Sequence, residues 1–285
     1  MIPSLLTLIA LALYLISGVF YGAVLFLQSP AAPLGNPTLP TPQPSTRFGR
    51  PLLFLGAVIQ FTAIGAWCIT THRSPFASEF GSLSVLAWAI ALAFGFLETR
   101  KRLPAVGAVA LLITCFVLFL GLLRSRIPMN ENPLLAGQLV SVHVMAVLAS
   151  FGLFAVSSSC AILYLMQNRL LKQRRHNALF RRLPALETLD RTAYYAVAYA
   201  MPFLTLGLVL GILRTFGDGL NHTPGAFLTD PHTIAALFTW LLYLIYFLAR
   251  LLLGWRGARL QYLLIMGLCV ALSLYFIPTT THHFH

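Results

Sequence analysis

The chain has 285 residues, of which 9% are charged and 58% hydrophobic. A soluble domain covers itself with about 25% charged residues, so this composition excludes a soluble globular protein and leaves an integral membrane protein. The net charge of +12 would suggest nucleic acid in a soluble chain. In a membrane protein it points instead to basic residues on the cytoplasmic side, with the lipid bilayer as partner and no nucleic acid.

A helix needs about 20 apolar residues to cross the hydrocarbon core. Eight runs reach that length, roughly 3–27, 51–71, 81–98, 105–123, 136–166, 192–214, 232–253 and 260–278. They predict an all-α, polytopic protein of about eight transmembrane helices. The first run is free of charge, lacks a basic segment before it and exceeds the roughly 7–15 residues of a signal-peptide core. It is therefore expected to be retained.

The proline-rich stretch 28–49 ("SPAAPLGNPTLPTPQP") reads as an extended connector. The fifth run is the longest and leads into the basic loop 167–191, "QNRLLKQRRHNALFRRLPALETLD" with Arg191. Its interspersed leucines suggest a short amphipathic helix on the inner leaflet. Gly18-x-x-x-Gly22 and Gly207-x-x-x-Gly211 are spacings that let helices approach closely, and they read as packing. The chain divides into an N-terminal four-helix region, 1–135, and a C-terminal four-helix region, 136–285.

Fifteen of the 19 Lys and Arg residues fall after runs 1, 3, 5 and 7, and only Arg73, Arg124, Arg126 and Arg214 fall on the other side. The positive-inside bias then places both termini outside, as in a multi-pass protein of a bacterial inner (plasma) membrane. The four cysteines, Cys68, Cys115, Cys160 and Cys269, lie within apolar runs without C-x-x-C spacing. They read as packing or lipid-facing residues, not as disulfide, zinc or covalent haem ligands.

On this topology His176 alone is inner, while His72, His143, His222, His232, His282, His283 and His285 gather at the outer side. His143 lies within the fifth span, on the order of 10 Å along its helix. An ionisable residue inside a membrane is costly and by default marks function. For His143 alone, the structural alternative is a ring hydrogen-bonded to a neighbouring helix. The set adds weight, because neutral imidazole is a ligand for haem iron. Two histidines from different elements, here span 5 and the tail after span 8, can supply both axial positions of a single haem.

Zinc is less attractive, as no H-x-x-x-H or Cys/His spacing occurs. The seven acids form no paired-carboxylate arrangement, no Ser/His/Asp set is present, and no Walker or G-x-G-x-x-G pattern appears. No enzyme active site is expected. Asp230 and Pro231 read as an ordinary helix start, which leaves His232 unexplained.

Four pieces in order, "SVHVMAVLASFGLF", "LPALETLDRTAYYAVAYAMPFLTLGLVLGILRT", "DPHTIAALFTWLLYLIYFLARLLLGWRG" and the terminal "HHFH", carry a resemblance. From about residue 138 onward the chain resembles the cytochrome c assembly family of haem-handling membrane proteins, with its CcsA/ResC and HemX types, most nearly the HemX type. The resemblance implies a non-covalent b-type haem near the outer surface, with His143 and His283 as axial ligands. His282 is the register alternative, and His232 and Asp230 are neighbours of the site.

Two departures qualify the resemblance. The external segment W-G-x-x-W-x-W-D of CcsA-type members has no tryptophan here, only Asp230-Pro231 at its end. Their histidine within span 7 is replaced by Leu248. The implied role is therefore haem binding or control of haem supply in cytochrome c biogenesis, with cytochrome c assembly proteins as partners. The alternative it implies is a regulator of tetrapyrrole synthesis that controls glutamyl-tRNA reductase through loop 167–191.

Overall fold

A backbone in lipid has to satisfy its own N–H and C=O groups, so long apolar runs become helices. The computed structural model describes residues 2–26, 44–124, 138–174, 178–217 and 231–273. Among the described residues there are nine α-helices, one short 3-10 turn and no strand. The helices are α1 (Ile2–Phe26), α2 (Pro44–Thr71), α3 (Glu79–Lys101), α4 (Pro104–Arg124) and α5 (Gln138–Lys172). They continue with α6 (Ala178–Arg182), α7 (Leu186–Gly217), α8 (Pro231–Leu251) and α9 (Ala258–Ser273).

Seven of these are long and apolar enough to cross a bilayer, which makes the chain a multi-pass membrane protein. The eighth expected span appears as α9, of which 16 residues are described. The rest of that run lies outside the described residues.

Local signals set several boundaries. Ser78 caps α3, its hydroxyl accepting from the Gly81 N–H at 3.0 Å, and Glu79 follows in the first turn where the helix dipole favours an acid. Arg102 ends α3 in the left-handed conformation and its N–H returns to the Glu98 carbonyl. Pro104 then opens α4, a position where its missing N–H costs nothing.

The connector expected over 28–49 is shorter than its composition suggests. Residues 44–49 are the first turns of α2, and 28–43 lie outside the described residues. Docking on α1 explains the helical start. Phe48 packs on Phe20 with ring centroids 5.9 Å apart, and the Ser17 hydroxyl donates to the Gly49 carbonyl at 2.8 Å.

In the basic loop α5 runs on to Lys172, and the short helix expected there appears as α6, in contact with α1 and α5. Arg182 on α6 donates to the Leu25 carbonyl near the end of α1 at 2.9 Å, while Arg174 and Arg181 remain exposed.

α1 packs on α2 and α4, and α3 packs on α4. In the other half α5 lies along α7 in the largest helix interface, with α9 on a second side of α5. α3 joins the halves through α5, and a Cβ on Gly152 would stand 2.8 Å from the Ala89 backbone. That approach requires glycine.

The core behind α5 is pinned by polar groups. Ser158 and Tyr243 both donate to the Leu264 carbonyl, at 2.9 and 3.1 Å, joining α5, α8 and α9. Each such interhelical bond contributes about 0.6 kcal/mol in a membrane. Phe154 stacks on Tyr243 with centroids 3.5 Å apart.

The four cysteines are free, Cys115 and Cys160 buried and Cys269 exposed, as packing or lipid-facing residues should be. The Gly18/Gly22 spacing serves one contact only. A Cβ on Gly18 would reach Leu111 at 3.5 Å, whereas one on Gly22 would meet nothing within 4 Å.

Candidate functional site

The basic residues gather at one end of the bundle. There Lys101 on α3 donates to Thr192 on α7 at 3.2 Å, and Arg182 holds the end of α1. The opposite end carries the α3–α4 ion pair Glu79–Arg124 at 3.0 Å, and His143 lies toward this end.

His143 stands near the start of α5 and faces the last third of α7. Its Nδ1 lies 2.5 Å from the Gly207 carbonyl oxygen. A carbonyl only accepts, so Nδ1 carries the proton and donates. In a neutral ring this bond selects the tautomer whose Nε2 is the basic nitrogen.

The ring can lie this close because α7 offers no side chain beneath it. A Cβ on Gly211 would stand 2.9 Å from His143 Cε1 and 3.2 Å from Nδ1. One turn earlier, a Cβ on Gly207 would come within 2.7 Å of Val147 Cγ2. Of the Gly207-x-x-x-Gly211 pair, read from sequence as packing, Gly207 packs against Val147 and supplies the carbonyl, and Gly211 makes room for the ring.

Of the other expected site residues, His232 is the second residue of α8, described in its backbone only. Asp230, His282 and His283 lie outside the described residues. His72 occupies an exposed turn after α2, with φ +52°. Among the described residues no group of three or more His, Cys, Asp or Glu side chains forms a metal cluster. The structure thus brings His143 together with Gly207 and Gly211, and the tail histidines are not part of this description.

The donor chemistry fits one axial position of a haem. Histidines that bind metals commonly donate their second ring nitrogen to a carbonyl or carboxylate, and His143 does so to Gly207. Leu248, which stands where a second intrahelical histidine would lie, is at the basic end of α8 and exposed, far along the helix from the α8 start.

At the basic end the structure adds a network that sequence reading missed. Asp190 on α7 pairs with Arg250 on α8, both side chains about nine-tenths buried. The other Asp190 oxygen accepts from Gln261 on α9 at 2.9 Å. The Arg250 guanidinium also lies 5.7 Å from the Tyr194 ring centroid. Three helices are joined through one carboxylate.

The fold defines the class of protein, a multi-pass helical membrane protein. The family model described as "Cytochrome C assembly protein" matches residues 77–285, close to three-quarters of the chain. The chain belongs to the cytochrome c assembly protein family.

Its relatives include a cytochrome c biogenesis protein CcsA from Guillardia theta, 27% identical, covering 77% of this chain and 78% of the relative. The Porphyra purpurea CcsA is 25% identical, covering 78% of this chain and 81% of the relative. Protein HemX from Brevibacillus brevis is 38% identical over 82 residues, covering 29% of this chain and 30% of the relative. The match therefore begins well before residue 138, where the sequence resemblance was first placed, and takes in α3 and α4.

Proposed function

We propose that this protein is a non-enzymatic haem-handling membrane protein of cytochrome c biogenesis or haem supply, holding a b-type haem near the outer face. The observation that carries this reading is the His143 bond to Gly207, which orients the ring as a metal-binding imidazole in a cytochrome c assembly family member. His143 supplies one axial ligand and His283 the other, with His282 as the register alternative and His232 and Asp230 beside them. Both termini lie outside the cytoplasm, since basic residues collect at the other end.

Bound haem would supply a redox-active iron. The chain's own part is to present Nε2, keep the Nδ1 proton on a fixed acceptor and surround the ring with apolar helix faces. The test is the absorption spectrum of the purified protein, as isolated and after haem reconstitution. A Soret band is expected, and it should weaken or turn five-coordinate in His143→Ala and His283→Ala. A protein that shows no Soret band after reconstitution sinks the reading.

A second reading, a regulator of glutamyl-tRNA reductase acting through loop 167–191, is supported by the stretch shared with HemX and by the exposure of Arg174 and Arg181. Arg182 is engaged with α1, so the docking test should spare it. Capture of the reductase should fall in Arg174→Gln/Arg175→Gln/Arg181→Gln; unchanged capture removes this reading.

A further inference from the structure

The basic end carries a cleft that haem binding does not use. It has a volume of about 350 Å³ and lies between the start of α7, the end of α8 and the turn that follows. Arg191, Arg250 and Arg256 line it together with Asp190, Tyr194 and Tyr195.

The charges in this wall are not equivalent. Arg250 is engaged by Asp190 and donates to the Trp255 carbonyl at 3.2 Å, so that pair forms a neutral floor. Arg191 stacks over Tyr195 at 5.6 Å, and Lys101 approaches the same ring from α3 at 5.4 Å. Glu187, one turn before Arg191 and also in the lining, offsets one of these charges. With Arg256 on the far side, the cleft keeps a net positive wall beside two tyrosines.

Its surroundings identify the kind of anion. Leu251, Leu252, Leu253 and Trp255 are all more than half exposed and immediately follow Arg250. Lipid-facing apolar surface therefore meets the basic rim at the mouth of the cleft, with an indole at the boundary. That is the depth of lipid headgroups, where tryptophan gathers and arginines attract anionic lipid. A soluble phosphate would use the arginines alone, whereas a phospholipid uses the apolar rim as well.

We propose that this cleft binds the phosphate headgroup of an anionic membrane phospholipid, with Arg191 and Arg256 as its ligands and Leu252, Leu253 and Trp255 against its acyl chains. A lipid held in this way differs from one drawn loosely to a basic surface. Its retention depends on the cleft arginines and not on Arg174 or Arg181.

Native mass spectrometry of the full-length protein in mild detergent tests the proposal, with phosphatidylglycerol, phosphatidylcholine and inorganic phosphate titrated separately. Phosphatidylglycerol should bind at one saturable site in preference to phosphatidylcholine. Arg191→Gln/Arg256→Gln should weaken it by about twenty-fivefold, at about fivefold per arginine. Arg174→Gln/Arg181→Gln should leave it unchanged.

Arg256 lies exposed on the turn, so R256E keeps the fold and should by itself weaken binding at least about fivefold. Equal binding of phosphatidylcholine, or full retention of phosphatidylglycerol in R256E and in the double variant, overturns the proposal. So does inorganic phosphate that occupies the cleft as readily as the lipid, since it identifies a soluble-anion site. The haem spectrum does not enter any of these outcomes.

Discussion

At the basic end, α7, α8 and α9 are fastened through Asp190, whose two oxygens are taken by Arg250 and Gln261. Toward the other end, the His143 imidazole of α5 donates to the Gly207 carbonyl of α7 and lies over Gly211. The first junction commits its acceptor to protein partners from two helices. The second uses one nitrogen of a ring to fix its orientation. The difference separates a junction that holds three helices together from one that fixes the orientation of a ring, and mutations at the two ends should therefore fail differently.

The largest effect is expected at the basic end. Asp190→Ala or Arg250→Ala leaves a charge in a nine-tenths buried setting and should cost about 3–5 kcal/mol. Thermal unfolding in detergent would measure it. The double replacement Asp190→Leu/Arg250→Met should recover most of that loss, because an apolar pair of similar size tolerates the site.

Gly211→Ala comes next, at about 1–3 kcal/mol, since its Cβ has to displace the His143 ring. Its signature should be spectroscopic: haem absorption falls in a protein that still elutes as a folded species. If Gly211→Ala leaves the spectrum of the reconstituted protein untouched, the glycine pair is a packing device and the contrast between the two ends loses its basis.

His143→Ala should lower stability by about 1 kcal/mol through the lost bond to Gly207 and, on the haem-binding proposal, remove an axial ligand. A histidine with a purely structural role would show the stability loss without the spectral one. The smallest effect is expected for Trp240→Phe, which deletes the 3.1 Å bond from the indole N–H to Thr205 between α8 and α7. About 0.5–1 kcal/mol of stability and an unchanged spectrum should result.

Much of this architecture was legible in the sequence because bilayer thickness imposes a length that composition reveals directly. The start of α2 was not legible, because Pro44 to Gly49 become helical by packing Phe48 and Gly49 against α1, a contact that proline content cannot disclose. His143 stood out as an ionisable residue inside an apolar run. Its seat did not, since a four-residue glycine spacing says that some helix approaches without saying which.

The Asp190 network was the least visible part. Its members are 60 and 71 residues apart, and each alone resembles an ordinary charge or amide at a helix end. Family likeness told more about α5 and beyond than about α3 and α4, where apolar composition masks the relationship that the family match reveals.

The Gly207 carbonyl also makes the site observable in a way that does not depend on colour. It accepts from His143 as well as serving the backbone of α7, and a doubly bonded carbonyl absorbs at lower infrared frequency than its helical neighbours. On the haem-binding proposal, metal coordination at Nε2 would sharpen the acidity of the Nδ1 proton and pull harder on that oxygen. An isotope label on this one carbonyl would turn the helix backbone into a vibrational gauge of occupancy, readable in the membrane and silent everywhere else in the chain.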